Sequence, residues 1–215
     1  IPEFILEHIG DSYYWHIATY KGHEISIPLP VIVRSADGEW HLFSSSRFEH
    51  GHTSYKGFKI SHSEKYRGKI VETSAQGEEV RPLDFSITKN VFALMINSSI
   101  LVIILLLCAR WYRNKGTTEA NPKGFVAAIE MFIMSIVDGI IKPCVGKNYK
   151  RYTPYLLTAF FFIFINNLMG LVPIFPGGAN ITGNIAITFT LAMFTFVIVN
   201  IFGTREYWKE IFWPN

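Results

Sequence analysis

Charge and cysteine are both scarce in this chain of 215 residues. Charged residues make up 17% of it, whereas an ordinary soluble domain carries about 25%, and the mean hydropathy is +0.23. Two cysteines are too few to crosslink a chain of this size, which excludes a disulfide-stabilised scaffold. The net charge of +3 is too small to indicate a nucleic-acid-binding surface, so we expect no nucleic-acid partner.

Charge is absent altogether from three long stretches, residues 91–109, 155–172 and 185–202. Each has at least 18 residues, and a helix of that length reaches about 27 Å, close to the roughly 30 Å hydrocarbon core of a bilayer. A buried core helix explains one such stretch but not three. The sequence therefore predicts a mainly α-helical polytopic membrane protein with three transmembrane helices.

The basic residues predict how the chain is oriented in the membrane. The segment 110–154, between the first two stretches, contains eight lysines and arginines, whereas the connection 173–184 contains none. Cytoplasmic segments of membrane proteins are enriched in Lys and Arg. Residues 110–154 are therefore predicted to be cytoplasmic, and residues 173–184 and the N-terminal part of the chain are predicted to lie outside.

Between these basic residues lies a fourth apolar stretch, residues 124–141, which contains Glu130 and Asp138. Crossing the membrane would place one of its two basic flanks outside, so we predict that it does not cross. On a helical wheel, Lys123, Glu130 and Asp138 fall within about 80° of one another. This narrow polar stripe indicates an amphipathic helix in the cytoplasmic interface, or a slightly re-entrant one, that ends at Pro143.

The first 89 residues differ from the rest in composition. They hold 10 basic and 12 acidic residues and all seven histidines, whereas residues 90–215 hold 10 basic and 5 acidic residues. Asp37-Gly38 between two apolar runs predicts a β-hairpin. We predict a small β-rich extramembrane domain over 1–89 and a membrane domain over 90–215. Since the chain starts at Ile1, we expect that an export signal was removed or is not included.

Polar side chains inside the apolar stretches are the first candidates for function. Asn166 and Asn167 lie near the end of the second stretch, and Asn184 begins the third. On a helical wheel, Asn184, Thr188 and Thr195 share one face. Such side chains either line a hydrated path or hydrogen-bond a neighbouring helix, and the pattern leaves both interpretations open.

Other chemistry is poorly represented in the sequence. The three stretches contain no acidic, basic or histidine residue, so a proton relay would need groups from elsewhere. Asn97 in the first stretch is assigned to helix packing. The sequence has no nucleophile–base signature and no phosphate-binding motif, so we expect neither an enzyme nor a bound cofactor.

The histidines suggest an alternative function. His50 and His52 are two residues apart, and on a strand they would point to one face, where Glu49 and His62 could join them as zinc ligands. The chain would then be a membrane-anchored, extracytoplasmic, histidine-rich metal-binding protein, or a scaffold. Exposed histidines in a polar domain are the simpler interpretation, and we predict no metal site.

Three segments, taken in order, resemble subunit a of the F-type ATP synthases. They are NPKGFVAAIEMFIMSIVDGIIK, TPYLLTAFFFIFINNLMGLVP and TGNIAITFTLAMFTF. The second ends in the family's Asn-Leu-x-Gly-x-x-Pro pattern, carried by Asn167, Leu168, Gly170 and Pro173, and the third is entered through Asn184. The segments DSYYWHI, PLPVIV, SSSRFEHG and DFSITKNV look like the N-terminal extension of Bacteroidetes members.

The resemblance implies a non-catalytic stator subunit that provides proton half-channels in the bacterial inner membrane. Its partners would be membrane lipid, the rotor c-ring and the peripheral-stalk b subunits. Asn166, Asn167, Asn184 and Thr188 would line the outer half-channel. Glu130 and Asp138, on the interfacial helix, would contact the peripheral stalk or shape the inner exit.

Family members continue with two further transmembrane helices, which carry an arginine essential for proton transfer. The sequence ends at Asn215, before any such helix. We therefore expect this chain to be a fragment or a truncated form that does not conduct protons by itself.

Overall fold

The computed structural model describes residues 10–20, 23–74, 77–115, 121–172, 177–179 and 181–213. Within these ranges, strands occupy the N-terminal part and long helices the rest. The strands are β1 (Tyr14–Tyr20), β2 (His23–Pro28), β3 (Pro30–Arg34), β4 (Trp40–Ser44), β5 (Phe58–Ile60), β6 (Ile70–Thr73), β7 (Glu79–Val80) and β8 (Leu83–Asp84). The α-helices are α1 (Lys89–Lys115), α2 (Phe125–Ile136), α3 (Lys142–Val145), α4 (Tyr149–Gly170), α5 (Ile185–Phe202) and α6 (Arg205–Phe212).

The strands form three small antiparallel sheets. β1 pairs with β2, β3 lies between β4 and β8, and β6 lies between β5 and β7. The predicted hairpin is present, because Asp37-Gly38 lies in the turn between β3 and β4. Gly38 has a φ of +86°, a left-handed conformation that favours glycine because glycine has no Cβ.

Buried and more exposed side chains alternate along β3, and the buried ones form part of the core of the N-terminal part. Val31 and Val33 are fully buried, whereas Pro30 and Arg34 are exposed. Successive side chains of a strand point to opposite faces, so one face of β3 is covered and the other is open. The buried cluster consists of Tyr13, Val31, Val33, Phe48, Phe58 and Ile70.

Hydrogen bonds and an ion pair hold the Glu79 carboxylate at one edge of this part. The hydroxyls of Ser61 and Ser63 donate to Glu79 Oε2 at 2.6 and 2.8 Å. Lys59 Nζ lies 3.0 Å from Glu79 Oε1. Because the hydroxyls and the ammonium all favour the charged carboxylate, they lower the pKa of Glu79 from 4.5 to about 2.

This lowered pKa predicts an acid-sensitive fold. Since the folded pKa lies below the unfolded one, the Glu79 contacts stabilise the protein fully above about pH 4.5 and are lost as the pH falls towards 2. Glu79→Gln should flatten the pH dependence of unfolding in that window, measured by near-UV circular dichroism of the purified protein. Glu78→Gln, at an exposed neighbouring position, is the control. Identical acid transitions in the two variants would contradict the prediction.

Two helices in the described ranges, α1 and α5, are long and apolar enough to cross a membrane. They correspond to the predicted spans 91–109 and 185–202. The predicted span 155–172 falls largely in α4, which is not one of the two and has Asn166 and Asn167 in its last turns. The count of three spans therefore stays a prediction.

The predicted amphipathic helix over 124–141 is longer than expected. α2 continues through a π-helical turn, Val137–Ile141, into α3, so helical structure reaches Val145. The prediction that Pro143 ends the helix was wrong. Pro143 directly follows the π-turn and lies in the first turn of α3, and a helix tolerates proline in its first turn.

The apolar side of this helical segment packs against α4. The ring of Phe132 lies 5.3–5.8 Å from the rings of Phe160, Phe161 and Phe164. The buried cluster consists of Ile136, Val137, Ile141 and Phe161. One side of the segment thus packs on a neighbouring helix, whereas Met131 and Ile140 elsewhere on the segment are 70% and 55% exposed. Its amphipathic character and its depth in a membrane stay predictions.

Candidate functional site

A buried amide pair joins α1 to α4. Asn97 Nδ2 donates to Asn166 Oδ1 at 3.0 Å, and both residues are 2% exposed. Asn166 Nδ2 donates in turn to the carbonyl of Phe162 at 2.8 Å. Asn97 Oδ1 accepts no hydrogen bond from the residues that the structure describes. Of the two interpretations left open for Asn166, this geometry favours a hydrogen bond between helices, which is also what was predicted for Asn97.

Asn167 points elsewhere, towards the loop between α4 and α5. Its side chain is exposed, and its Nδ2 donates to the carbonyl of Ile163 at 2.8 Å. Its Oδ1 accepts a hydrogen bond of 2.8 Å from the hydroxyl of Thr182. Asn167 therefore connects the end of α4 to the loop, and this use of Thr182 was not predicted.

The same loop folds back onto the last turn of α4. Gly178 N donates to the carbonyl of Met169 at 3.1 Å. A Cβ at Gly177 would lie 2.3 Å from the carbonyl oxygen of Val172 and 2.7 Å from that of Met169. Only glycine allows this approach, because real Cβ atoms do not come so close to backbone oxygens.

Asn184 begins α5, as predicted. It has an extended conformation, and its Oδ1 accepts a hydrogen bond from Ala186 N at 3.0 Å, so it is the N-cap of the helix. Thr188, one turn later, is exposed, and its hydroxyl donates to the carbonyls of Asn184 and Ile185 at 3.3 and 3.1 Å. The hydroxyl of Thr195 likewise bonds its own helix, at Leu191.

The polar groups around this loop can bind water, but none of them is an acid or a base that titrates near neutral pH. The sequence from 152 to 204 contains no charged or histidine side chain. A threonine hydroxyl that donates to its own helix keeps its oxygen lone pairs for water. Asn167, Asn184 and Thr188 therefore present hydrogen-bonding groups around the loop and the start of α5, while Asn166 is buried and bonded to Asn97 of α1.

Glu130 and Asp138 lie away from this loop, on the helical segment that packs against α4. Both are exposed. Asp138, in the π-turn, forms an ion pair with Lys142, and this bond raises the pKa of Lys142 because it favours the charged amine.

His50 and His52 do not lie on a strand, so the face that the alternative interpretation required is not formed. Residues Ser45–Gly51 form a 3₁₀-helical segment, in which Glu49 and His50 adopt left-handed conformations. The ring of His50 stacks on Tyr14 at 4.5 Å, and His62 Nε2 lies 3.4 Å from the carbonyl of Gly51. The described residues contain no group of three or more His, Cys, Asp or Glu placed to hold a metal ion.

Comparison with known proteins identifies the family. The profile described as "ATP synthase A chain" matches residues 93–215, which include α2 to α6 and most of α1. The chain belongs to this family. The resemblance stated from the helical motifs is thereby confirmed, and all six predicted site residues lie in the matched region. A second profile, "Domain of unknown function (DUF8433)", matches residues 4–85.

Several curated relatives in the family are named ATP synthase subunit a. The protein from Chlorobium phaeobacteroides (strain DSM 266 / SMG 266 / 2430) is 43% identical over 124 residues, covering 58% of this chain and 35% of its own. That from Pelodictyon phaeoclathratiforme (strain DSM 5477 / BU-1) is 44% identical over 125 residues, covering 58% and 36%. That from Myxococcus xanthus (strain DK1622) is 38% identical over 125 residues, covering 57% and 39%.

The chain spans little more than a third of the length of these relatives. No solved structure matches it.

Proposed function

We propose that this chain is part of the static channel subunit of a proton-translocating F-type ATP synthase in a bacterial inner membrane. The observation that carries the proposal is the family match over 93–215, which covers the helices around the α4–α5 loop. Residues 91–109, 155–172 and 185–202 cross the membrane. The N-terminal part over 1–89 and the α4–α5 loop lie on its outer side, while the basic segment 110–154 lies in the cytoplasm.

The exposed faces of the helices support contacts with lipid and with other membrane subunits. α5 has no buried residue, and large apolar side chains such as Phe189 and Phe196 are more than 60% exposed. On α1, Leu106 and Leu107 are each 62% exposed. Such surfaces suit membrane lipid, the rotor c-ring and the b subunits of the peripheral stalk, with Glu130 and Asp138 on the side of the stalk or the inner exit.

In this proposal Asn167, Asn184 and Thr188 line the outer half-channel and hold water there. Protons entering from outside would pass along this water to a rotor carboxylate, because these three side chains do not titrate. Asn166 supports the path by fixing α4 to α1 through its hydrogen bond to Asn97 at 3.0 Å. The Thr182–Asn167 bond of 2.8 Å keeps the loop beside the path.

Replacing Asn184 with leucine tests the proposed path. In the assembled synthase, Asn184→Leu should slow proton-driven ATP synthesis roughly two- to tenfold, the effect of losing one hydrogen bond of about 0.5–1.5 kcal/mol. The measurement is ATP synthesis by membrane vesicles, normalised to the amount of assembled complex.

Two control variants separate the proposed water-binding role of Asn184 from its role as the N-cap of α5. Asn184→Ser keeps an oxygen that can accept from Ala186 N, and it should retain most of the activity. Asn200→Leu, near the other end of α5, should behave like the parent protein, because Asn200 bonds only the carbonyl of Phe196 among the contacts found for it. Unchanged synthesis in Asn184→Leu would remove Asn184 from the path, and failure of the parent protein to co-purify with a rotor ring would refute the proposed function.

A further inference from the structure

Trp15, in the N-terminal part of the chain, is buried against the membrane helices. It is 3% exposed although it lies on a short two-stranded sheet. Its ring packs edge-to-face against Phe92 of α1, with 5.7 Å between the ring centres. The cluster around it, called the Trp15 cluster below, has four buried members from three separate parts of the chain: Trp15, Ala93, Ala179 and Ile181.

The Trp15 cluster joins the β1–β2 hairpin to α1 and to the α4–α5 loop at one point. Ile27, directly opposite Trp15 on β2, packs on the same cluster. Ala93 is fully buried, and its small side chain lets the indole approach α1 closely. Ala179 and Ile181 bring the loop into the same cluster, and Ile187 adds the first turn of α5.

A second contact fixes the N-terminal part to the same end of α1. The carboxylate of Asp11 accepts a hydrogen bond from Asn90 N at 3.0 Å, and the carbonyl of Ser12 accepts one from Lys89 N at 2.8 Å. The first N–H groups of a helix have no partners within the helix, so these bonds cap α1. A negative charge at a helix N-terminus is also electrostatically favourable.

The loop residues in the cluster are adjacent to those that hold the proposed path. Ile181, which is 1% exposed, directly precedes Thr182, the residue that donates to Asn167 at 2.8 Å. Asn184 lies two residues after Thr182, and its backbone N donates to the carbonyl of Ile181 at 3.1 Å. A shift of Ile181 would therefore displace both Thr182 and Asn184.

We propose that the N-terminal part, which matches a domain of unknown function, positions the α4–α5 loop, and that Trp15 is the positioning residue. Trp15 touches neither Asn167 nor Asn184 among the contacts found for them, and it acts through Ala179 and Ile181. Only the predicted effect of Trp15 on proton entry rests on the proposed function. The contact itself can be tested without any assay of the synthase.

Amide hydrogen exchange tests the contact. In the purified protein, Trp15→Ala should raise the exchange rate of residues 181–187 roughly tenfold, since the loop loses its buried partner. Ala93→Leu, which fills the cluster from α1 and leaves the core of the N-terminal part unaltered, should have the same effect. Trp40→Ala, at a tryptophan that is 59% exposed on the same part of the chain, should have none. Unchanged exchange in both Trp15→Ala and Ala93→Leu would overturn the inference.

The dependence of ATP synthesis on outer pH tests whether a displaced loop impairs proton entry along the proposed path. In the assembled synthase, Trp15→Ala should raise the outer proton concentration needed for the half-maximal rate by about threefold or more, with little change in the maximal rate. A merely structural defect would lower the amount of complex and scale all rates equally. Trp15→Phe, which keeps a buried aromatic ring, should restore most of the parent profile.

The two proposals fail in different ways. A complex that retains its rotor ring but shows an unaltered pH profile in Trp15→Ala would overturn the positioning role and leave the proposed function standing. A parent protein that does not co-purify with a rotor ring would refute the proposed function, and the exchange experiment would still decide whether Trp15 positions the loop.

Discussion

Gly177→Ala is expected to displace the loop between α4 and α5 and to destabilise the protein. The new Cβ would lie 2.3 Å from the carbonyl oxygen of Val172 and 2.7 Å from that of Met169. Both neighbours are backbone atoms, which cannot rotate away as the end of a side chain can. Overpacking of this kind costs roughly 1–3 kcal/mol, and occasionally more.

The thermal unfolding midpoint of the detergent-solubilised protein measures this cost, and ATP synthesis in vesicles measures its effect on the proposed path. The matched control is Gly139→Ala, because a Cβ at Gly139 would meet nothing within 4 Å. Alanine also favours helix over glycine by about 1 kcal/mol, so the control should be neutral or slightly stabilising. If Gly177→Ala is as stable and active as Gly139→Ala, the close approach of the loop is not required.

Breaking the amide pair between α1 and α4 should have the second large effect. Asn166→Leu leaves Asn97 buried without its partner, and Asn97→Leu does the same to Asn166. An unpaired buried polar group costs roughly 1–3 kcal/mol. Each single variant should therefore lower the free energy of unfolding by an amount in that range, measured by titration with a denaturing detergent.

The double variant separates the free energy of the hydrogen bond from the effects of replacing each side chain alone. With leucine at both positions no polar group is left unpaired, so the double variant should be less destabilised than the sum of the single ones. Hydrogen bonds between membrane helices give coupling energies of about 0.6 kcal/mol on average, up to about 1.7. Asn200→Leu on α5 serves as the control, because among the contacts found for it Asn200 bonds only the carbonyl of Phe196 in its own helix. Strict additivity of the two substitutions would show that Asn97 and Asn166 do not interact.

Short-range sequence patterns predict several of the helices and turns of this chain. The uncharged stretches 91–109 and 185–202 correspond to α1 and α5, because burial in lipid requires a continuous apolar surface. Asp37-Gly38 marks a turn whose conformation only a few residues adopt easily. Asn184 precedes an apolar run and caps α5, since its short polar side chain reaches the free N–H groups there.

Contacts between distant segments follow no such pattern. Nothing in the spacing of Trp15 relates it to Ala93 or Ile181, and in the sequence Trp15 is only one aromatic residue of a short strand. The π-turn at 137–141 was missed because a helical wheel assumes a constant rotation per residue. On a strand, the spacing of two would have put His50 and His52 on one face, whereas Glu49 and His50 in fact turn the chain through left-handed conformations.

Only the structure separates the two interpretations of the asparagines in the second apolar stretch. Asn166 and Asn167 are neighbours in sequence, yet one is 2% exposed and bonded to α1 while the other is exposed and bonded to the loop. Adjacent residues of a helix point about 100° apart, so one sequence motif serves two surfaces. The family pattern around Asn167 gave no indication of which partner each amide would find.

The capping of α1 by Asp11 bears on the timing of assembly. Asp11 precedes Asn90 by 79 positions, and a chain is made from its N-terminus, with early segments folding first. Asp11, Trp15 and Ala93 are therefore all synthesised long before Ala179 and Ile181. The last two residues are therefore synthesised after every other buried member of the Trp15 cluster, so their partners are already present in the chain when the loop is made.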